Sequence, residues 1–483
     1  MRVQRSSSHR YPNNVDNVDN ADAADWRGFS FGMIRVNPLH PRHPRTFSAL
    51  LFLLLSSCAN LFAQTPTPTA TPKPKYQRVT SHVVLISIGG LQGICVTKPG
   101  SCATPMVALQ RWRDSGVFAL TAESVYPTQT LPAHATMLTG RLPVDHKVTT
   151  NQAFDETRGA LSETSLDDAL HLPKENLLSL LEKEKLSVAA IGFPMTAQAA
   201  ITANQSFAVV TQPSTRKAKE TLAAVFTRDR AVVAKARETI AAKPPNLLLI
   251  HFNSLDTAQQ LFGITSNEAA QAKHEIDDWL QQIAEMYEKA HGTTDTTFLI
   301  VSDHGALKVE QSFAPNVLLA QKGWITTDKN GQVTDWKAIV QPLGGSAIVF
   351  VKKPQDEKDV FALFQEFHQK PDSPIWRIVT RQDAAKLGAD ERAALFLDAA
   401  PDVVFDSRAK GALLEASALR ASSGQLGSRT EMLIAFVMAG KAIKPNAKLS
   451  YARLTDVAPT IARLLGLEMK ATRGRVLSEV IVP

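Results

Sequence analysis

The chain has 483 residues, of which 44% are hydrophobic and 20% charged, with a formal net charge of +7. That length holds one large α/β domain with insertions, or two smaller domains, and supplies ample material for a buried core. The charge is mild, much of the excess lies in the arginine-rich first 45 residues, and no basic patch with interleaved aromatics stands out, so nucleic acid is not expected as a partner.

Residues 47–55 form an apolar run behind Arg35, Arg42 and Arg45, with small residues after it. This reads as a signal peptide, too short to span a bilayer as a mature helix. Met33 gives a conventional basic start, which leaves 1–32 as a non-native extension and 33–63 as the signal. Two cleavage positions fit, after Ala63 or before Cys58. The second gives a lipidated cysteine, and a membrane association is expected only in that case. Export to the periplasm or the outside follows from either. The Thr/Pro-rich stretch 64–78 is a polyproline-like spacer that cannot pack a core. Cys95 and Cys102, in an exported context, favour a short disulfide loop over a metal pair.

From residue 79 the pattern is that of alternating strands and helices. The apolar run 82–88 ends in Gly89-Gly90, as a buried parallel strand feeding a loop does. Residues 105–115 can form a helix. In the stretch 126–140, Pro127 and Pro132 fix φ, so Thr130 is expected in a bent loop before a helix that starts at Pro132 and ends near Gly140. A hydroxyl at such a place faces free N–H groups and a positive dipole end, which suits an anion or an alkoxide; a helix cap is the commoner use of a lone Thr. An amphipathic helix at 175–182, a strand at 188–192, a helix at 231–242, a strand at 246–252, a long helix at 267–289 and a strand at 297–301 follow. The strand at 246–252 runs into Asn253-Ser254-Leu255-Asp256. The one at 297–301 runs into Ser302-Asp303-His304-Gly305, which puts a carboxylate and an imidazole at a strand end where α/β proteins place metal and phosphate chemistry. Shorter mixed elements at about 311–421 read as a smaller α+β insertion. Periodicity resumes at 431–437, and 456–466 is a helix with an acidic cap, an early Pro and a closing Gly. The fold class is α/β, a mostly parallel sheet sandwiched by helices.

Six pieces then occur in order: V-V-L-I-S-I-G-G-L at 83–91, P-T-Q-T-L-P-A-H-A-T-M-L-T-G at 127–140, H-K-V-T-T-N at 146–151, D-T-A-Q-Q-L-F-G at 256–263, S-D-H-G at 302–305 and D-V-A-P-T-I-A-R-L-L-G-L at 456–467. Together they resemble the alkaline phosphatase superfamily and, within it, the type I phosphodiesterase/nucleotide pyrophosphatase branch, over most of residues 79–480. The resemblance implies an alkaline phosphatase-like fold and a two-metal phosphoryl-transfer site. Carried over by position, Thr130 would be the nucleophile and Asn151 would bind a phosphoryl oxygen. Asp256 would hold one zinc, and Asp303 with His304 would hold the other beside Thr130. Two cations close together stabilise attacking and leaving oxygens and lower the pKa of the hydroxyl.

The sequence departs from the family where its metals bind. The first-strand Asp is replaced by Gly89, the His four residues after Asp256 by Gln260, and a late His by Leu426, so three of six expected ligands are absent. At most one zinc or other divalent ion is expected, held by Asp303, His304 and Thr130, because Asp256 with a Gln260 amide oxygen is a poor zinc set. His251, Asn253 and His134 lie in or beside the same loops as substitutes, although His134, like His146, reads first as a structural residue. The expected function is phosphoester hydrolysis through a Thr nucleophile, weakened or lost, on a phosphorylated small molecule. The other reading is a catalytically silent relative that binds a phosphorylated ligand or a protein partner.

Overall fold

The computed structural model describes residues 76–482 apart from 158, 168, 198, 200–202, 206–220 and 292–294. The signal peptide, Cys58 and residues 64–75 of the spacer lie outside the described residues. No described helix is long and apolar enough to cross a membrane.

Eight strands build the central sheet: β1 (His82–Ile88), β2 (Val117–Glu123), β3 (Val188–Ile191), β4 (Ala203–Gln205), β5 (Leu247–Phe252), β6 (Thr296–Ser302), β7 (Phe436–Gly440) and β8 (Ala447–Arg453). Their spatial order is β8-β2-β7-β6-β1-β5-β3-β4. Only β7 runs against the others; it is antiparallel to both β6 and β2. The sheet is therefore mostly parallel, as expected, and its central parallel strands β1, β5 and β6 read as continuous apolar runs because both faces are covered.

The register explains the two layers. Leu85 of β1 sits opposite Leu249 of β5 and Leu299 of β6, while Ile86 sits opposite Ile250 and Ile300. Alternate residues point to opposite faces. Leu85, Leu249 and Leu299 join one buried cluster with α2 (Thr130–Thr139) and α6 (Val457–Leu464). Ile86, Ile250 and Ile300 join the other, with α1 (Val107–Ser115), α3 (Leu222–Ala242), α4 (Ser254–Phe262) and α5 (Asn267–His291). Cys95 and Cys102, bonded to each other, also lie in that second layer.

Residues 338–399 contribute a separate four-stranded antiparallel sheet of Ala338–Pro342, Ser346–Val351, Leu395–Ala399 and Ile375–Thr380, with the helix Glu357–His368 beside it. A third buried cluster fills this region and takes in Tyr126 and Leu426.

Several elements differ from their sequence expectation. α2 begins at Thr130 and not after Pro132, because Gln129 is extended (φ −121°, ψ 154°) and its carbonyl takes the Ala133 N–H at 3.1 Å. Pro132 fits the first turn since no intrahelical bond needs its missing N–H. The apolar stretch 431–437 enters the sheet only from Phe436, as β7, because Thr430–Met432 closes a tight turn in which the Met432 N–H bonds the Arg429 carbonyl. β2 and β8 were not anticipated. Four of the seven residues of β8 are exposed, so its sequence carries little of the apolar signal that marks the central strands.

Candidate active site

Adjacent parallel strands end at one rim of the sheet. β5, β1 and β6 are neighbours, so the segments that follow them, Asn253–Asp256, Gly89-Gly90 and Asp303-His304-Gly305, are brought side by side. This is the crevice at the carboxyl ends of strands where open α/β folds bind ligands.

Asp303 is fully buried. Its Oδ1 accepts the Gly90 N–H at 3.3 Å and the His304 N–H at 2.9 Å, while its Oδ2 has no hydrogen-bond partner. Burial pushes the Asp303 carboxyl up to about 6; facing His304 opposes this and the Asp256 carboxylate adds to it. His304 bonds the Gly305 carbonyl through Nδ1 at 2.8 Å and turns Nε2 toward Asp303 Oδ2 at 3.5 Å. Burial pulls the His304 imidazole down, but the charges of Asp303 and Asp256 outweigh it and hold its pKa above the ordinary value.

Thr130 opens α2 and is buried. Helix N-termini usually offer several free amides, but here the supply is short. The Leu131 N–H is taken by Asn151 Oδ1 at 2.9 Å, Pro132 has none, and the Ala133 N–H bonds Gln129. The Asn151 N–H in turn donates to Gln129 Oε1 at 3.2 Å, so Asn151 is tied to both residues that flank Thr130. The stretch is tied down on its other side: the Thr128 hydroxyl donates to the Gln425 carbonyl and accepts the Gly424 N–H, both at 2.9 Å. The Ser124 hydroxyl donates to the Asp303 carbonyl.

The positions expected to have lost ligands fall as follows. A Cβ on Gly89 would lie 3.2 Å from both Asp256 Cβ and Asn253 Oδ1. Gln260 Nε2 donates to Asp256 Oδ2 at 2.6 Å. An amide oxygen would repel that carboxylate, so Gln260 presents its NH2 and not, as expected, an oxygen for a metal. Leu426 is buried in the third cluster and gives its N–H to Asp398 Oδ2 at 3.3 Å, one residue beyond the Gln425 that holds Thr128.

The two histidines first read as structural separate here. His146 uses both ring nitrogens, Nε2 with the Thr136 hydroxyl at 3.0 Å and Nδ1 accepting the Val148 N–H at 3.2 Å. His134 bonds its own loop through Nδ1 and the Thr130 carbonyl at 2.7 Å, as expected, but its Nε2 is buried without a partner. The His251 ring lies 4.6 Å from it, edge on. Asn253 and the Ser87 backbone come near His251, yet neither of its ring nitrogens reaches a hydrogen bond of ordinary geometry. Burial, reinforced by the charge of His304, pulls the His251 imidazole down to about 3, and burial with His251 beside it pulls His134 well below its usual value. Both shifts favour the neutral ring, the form that carries a lone pair.

A mostly parallel sheet between helical layers, with carboxylate and imidazole groups at its strand ends, defines the alkaline phosphatase class of α/β folds. The type I phosphodiesterase / nucleotide pyrophosphatase family matches residues 83–421, and the chain belongs to that family. Among solved structures, murine ectonucleotide pyrophosphatase/phosphodiesterase 5 is similar with a TM-score of 0.63 at 15% identity, over 84% of this chain and 100% of that one. An inactive variant of the murine protein in complex with AMP gives 0.63 at 15%, over 83% of this chain and 100% of that one. The human protein gives 0.62 at 16%, over 84% and 100%. At these identities the likeness is one of fold. No curated protein matches the sequence.

Proposed function

We propose that this chain is an exported phosphoester-binding protein with a Thr130-dependent phosphodiesterase activity well below that of a complete two-metal site. The observation that carries the reduction is the 2.6 Å bond from Gln260 to Asp256. The family's two-ion arrangement does not fit these residues: one ion would have Asp256 alone, and that carboxylate is already engaged.

What the chain's own residues offer is an anchored phosphate pocket. The Thr130 hydroxyl and N–H stand at the positive end of α2, where a phosphoryl group is favoured. Asn151, fixed by Leu131 beside Thr130, carries Nδ2 donors suited to a phosphoryl oxygen, and His304 supplies positive charge. A small phosphorylated molecule of the nucleoside monophosphate or diester kind fits this chemistry, and AMP is what the inactive murine relative holds. Losing even outer partners of a metal site costs roughly 10–100-fold in activity, and the losses at Gly89, Gln260 and Leu426 are of side chains expected to touch the ion, so a drop of at least that size is expected.

The test is hydrolysis of a chromogenic phosphodiester with added Zn²⁺ or Mn²⁺, comparing the parent with Thr130→Ala. Slow turnover that disappears in Thr130→Ala supports the hydrolase. The capped Asp256 favours one second reading, a silent relative that only binds: absence of turnover in the parent, together with AMP binding that weakens in Asn151→Ala, would establish it.

A further inference from the structure

The unpartnered atoms at the strand ends are not scattered. His134, His251 and Asp303 each offer a ligand atom, and these atoms lie within 4.8 Å of one another, with all three residues buried. They come from three elements: α2, the end of β5 and the loop after β6. Two of the three, His134 and His251, are at none of the six ligand positions that the family resemblance supplies.

We infer that His134, His251 and Asp303 form a relocated mononuclear site for a divalent transition ion, zinc by its ligand preference, in place of the two-ion arrangement. A buried polar atom without a partner costs about 1–3 kcal/mol, and such atoms are uncommon in native interiors. Here His134 Nε2, both nitrogens of His251 and Asp303 Oδ2 are buried without hydrogen-bond partners, and one donor atom from each of the three residues lies in the cluster. Two neutral imidazoles and one carboxylate are a zinc donor set with a fourth position left open for water or an incoming ligand. Softer ions prefer thiolates and magnesium or calcium prefer oxygen, so neither group fits.

The outer contacts support the same assignment. A ligating imidazole donates its second N–H to a carbonyl or carboxylate, which fixes the tautomer. His134 does this to the Thr130 carbonyl at 2.7 Å, which leaves Nε2 as the lone-pair nitrogen. Asp303 has Oδ1 held by two backbone amides, while Oδ2 accepts no hydrogen bond and faces His304 Nε2 at 3.5 Å, so it is set up as a one-oxygen ligand. An ion at about 2.1 Å from each donor spaces them roughly 3.4 Å apart. The donors, now within 4.8 Å of one another, would close by up to about 1.4 Å to reach it. Because His134 stands one turn into α2, above the Thr130 carbonyl it bonds, an ion here lies against the helix whose N-terminus carries Thr130.

The site rests on the reading of this cavity as the phosphoester pocket only for its location. Its test measures metal, not turnover. The full chain, freed of metal with a chelator and dialysed against micromolar Zn²⁺, is expected to retain about one zinc by elemental analysis and to gain thermal stability. X-ray absorption at the zinc edge should show two imidazoles and oxygen ligands. Separate His134→Gln and His251→Gln variants should each lose at least tenfold in zinc affinity, while Asp256→Asn keeps it. The inference is overturned if the parent holds no zinc, if the absorption spectrum lacks the imidazole signature, or if Asp256→Asn abolishes binding while both histidine variants keep it. The spectrum is taken on the parent, so a histidine variant that fails to fold does not remove the test. Zinc bound as described without any phosphodiester hydrolysis would sink the proposed activity and leave this site standing. Thr130-dependent hydrolysis that is indifferent to chelation, with no zinc bound, would do the reverse.

Discussion

Asp398 is a carboxyl whose proton is governed by burial. It lies in Leu395–Ala399, its Oδ2 takes the Leu426 N–H, and burial pushes it up to about 7, against the pull of that N–H and of Arg429 and Arg377. In an unfolded chain an aspartate titrates near about 4. Between those two values the folded chain holds a proton the unfolded chain has lost, so this group's stabilisation is fully present below about pH 4 and is lost as pH rises through about 7. Asp398→Asn keeps the shape and removes the titration. Thermal melts across pH 4 to 8 should show the variant gaining on the parent by several degrees as pH rises and levelling off above 7; a constant difference would refute the assignment. Nothing local in the sequence marks this residue, since only the tertiary packing of Tyr126, Leu426 and Arg429 around it makes it unusual. Asp303 was legible because it stands in S-D-H-G at the end of an apolar run. The bond from Gln260 to Asp256 was half legible: the i,i+4 spacing shows contact, but which end of the amide faces the carboxylate follows from the charge it meets. His251 was visible as a neighbour of the site, while its pairing with His134 depends on how α2 packs on the sheet.

Single elements show how closely the loops are fitted. Gly305 ends the Asp303-His304 segment under the turn at Thr430–Met432, and a Cβ there would come 2.0 Å from the Glu431 carbonyl oxygen and 2.8 Å from Met432 Cα. Both are backbone, so a methyl cannot be accommodated by a rotamer change. Gly305→Ala should cost about 1–3 kcal/mol as an overpacked site, lowering Tm by several degrees, and should weaken zinc retention because Asp303 moves with the loop. Unchanged melting and metal content would refute it. At the far end of α2, Gly140 has φ 63° and closes the helix as its C-cap, in the left-handed region that glycine enters without cost. That ending was readable from the sequence. The start of α2 was not, because it depends on Gln129 being held extended. The entry of β7 into the sheet at Phe436 likewise comes from a turn whose bonds are local but whose position answers to Gly305 across the sheet.

The described residues all belong to one compact unit, and its two helical layers share a single sheet. Leu85 and Ile86, neighbours on β1 and fully buried, face opposite layers. Leu85→Ala and Ile86→Ala should each cost about 2–5 kcal/mol. Since both layers hang on β1, either substitution should lower one common unfolding transition in calorimetry. A split melt, with one layer lost first, would show that the layers are independent. The central parallel strands declared themselves as apolar runs. The half-exposed β8 did not, and the antiparallel insertion of β7 between β6 and β2 is a matter of connectivity that periodicity does not encode.

The narrow space around Gly89 decides what an acidic side chain at that position would meet. An aspartate restored there would place its Cβ 3.2 Å from Asn253 Oδ1 and 3.2 Å from Asp256 Cβ. It would also add a third acid beside Asp303, already pushed up to about 6. Asn253 would have to withdraw and Gln260 release Asp256 before such a carboxylate had room and a counter-charge. A two-ion pocket of the family's kind would therefore need changes that are each unfavourable alone.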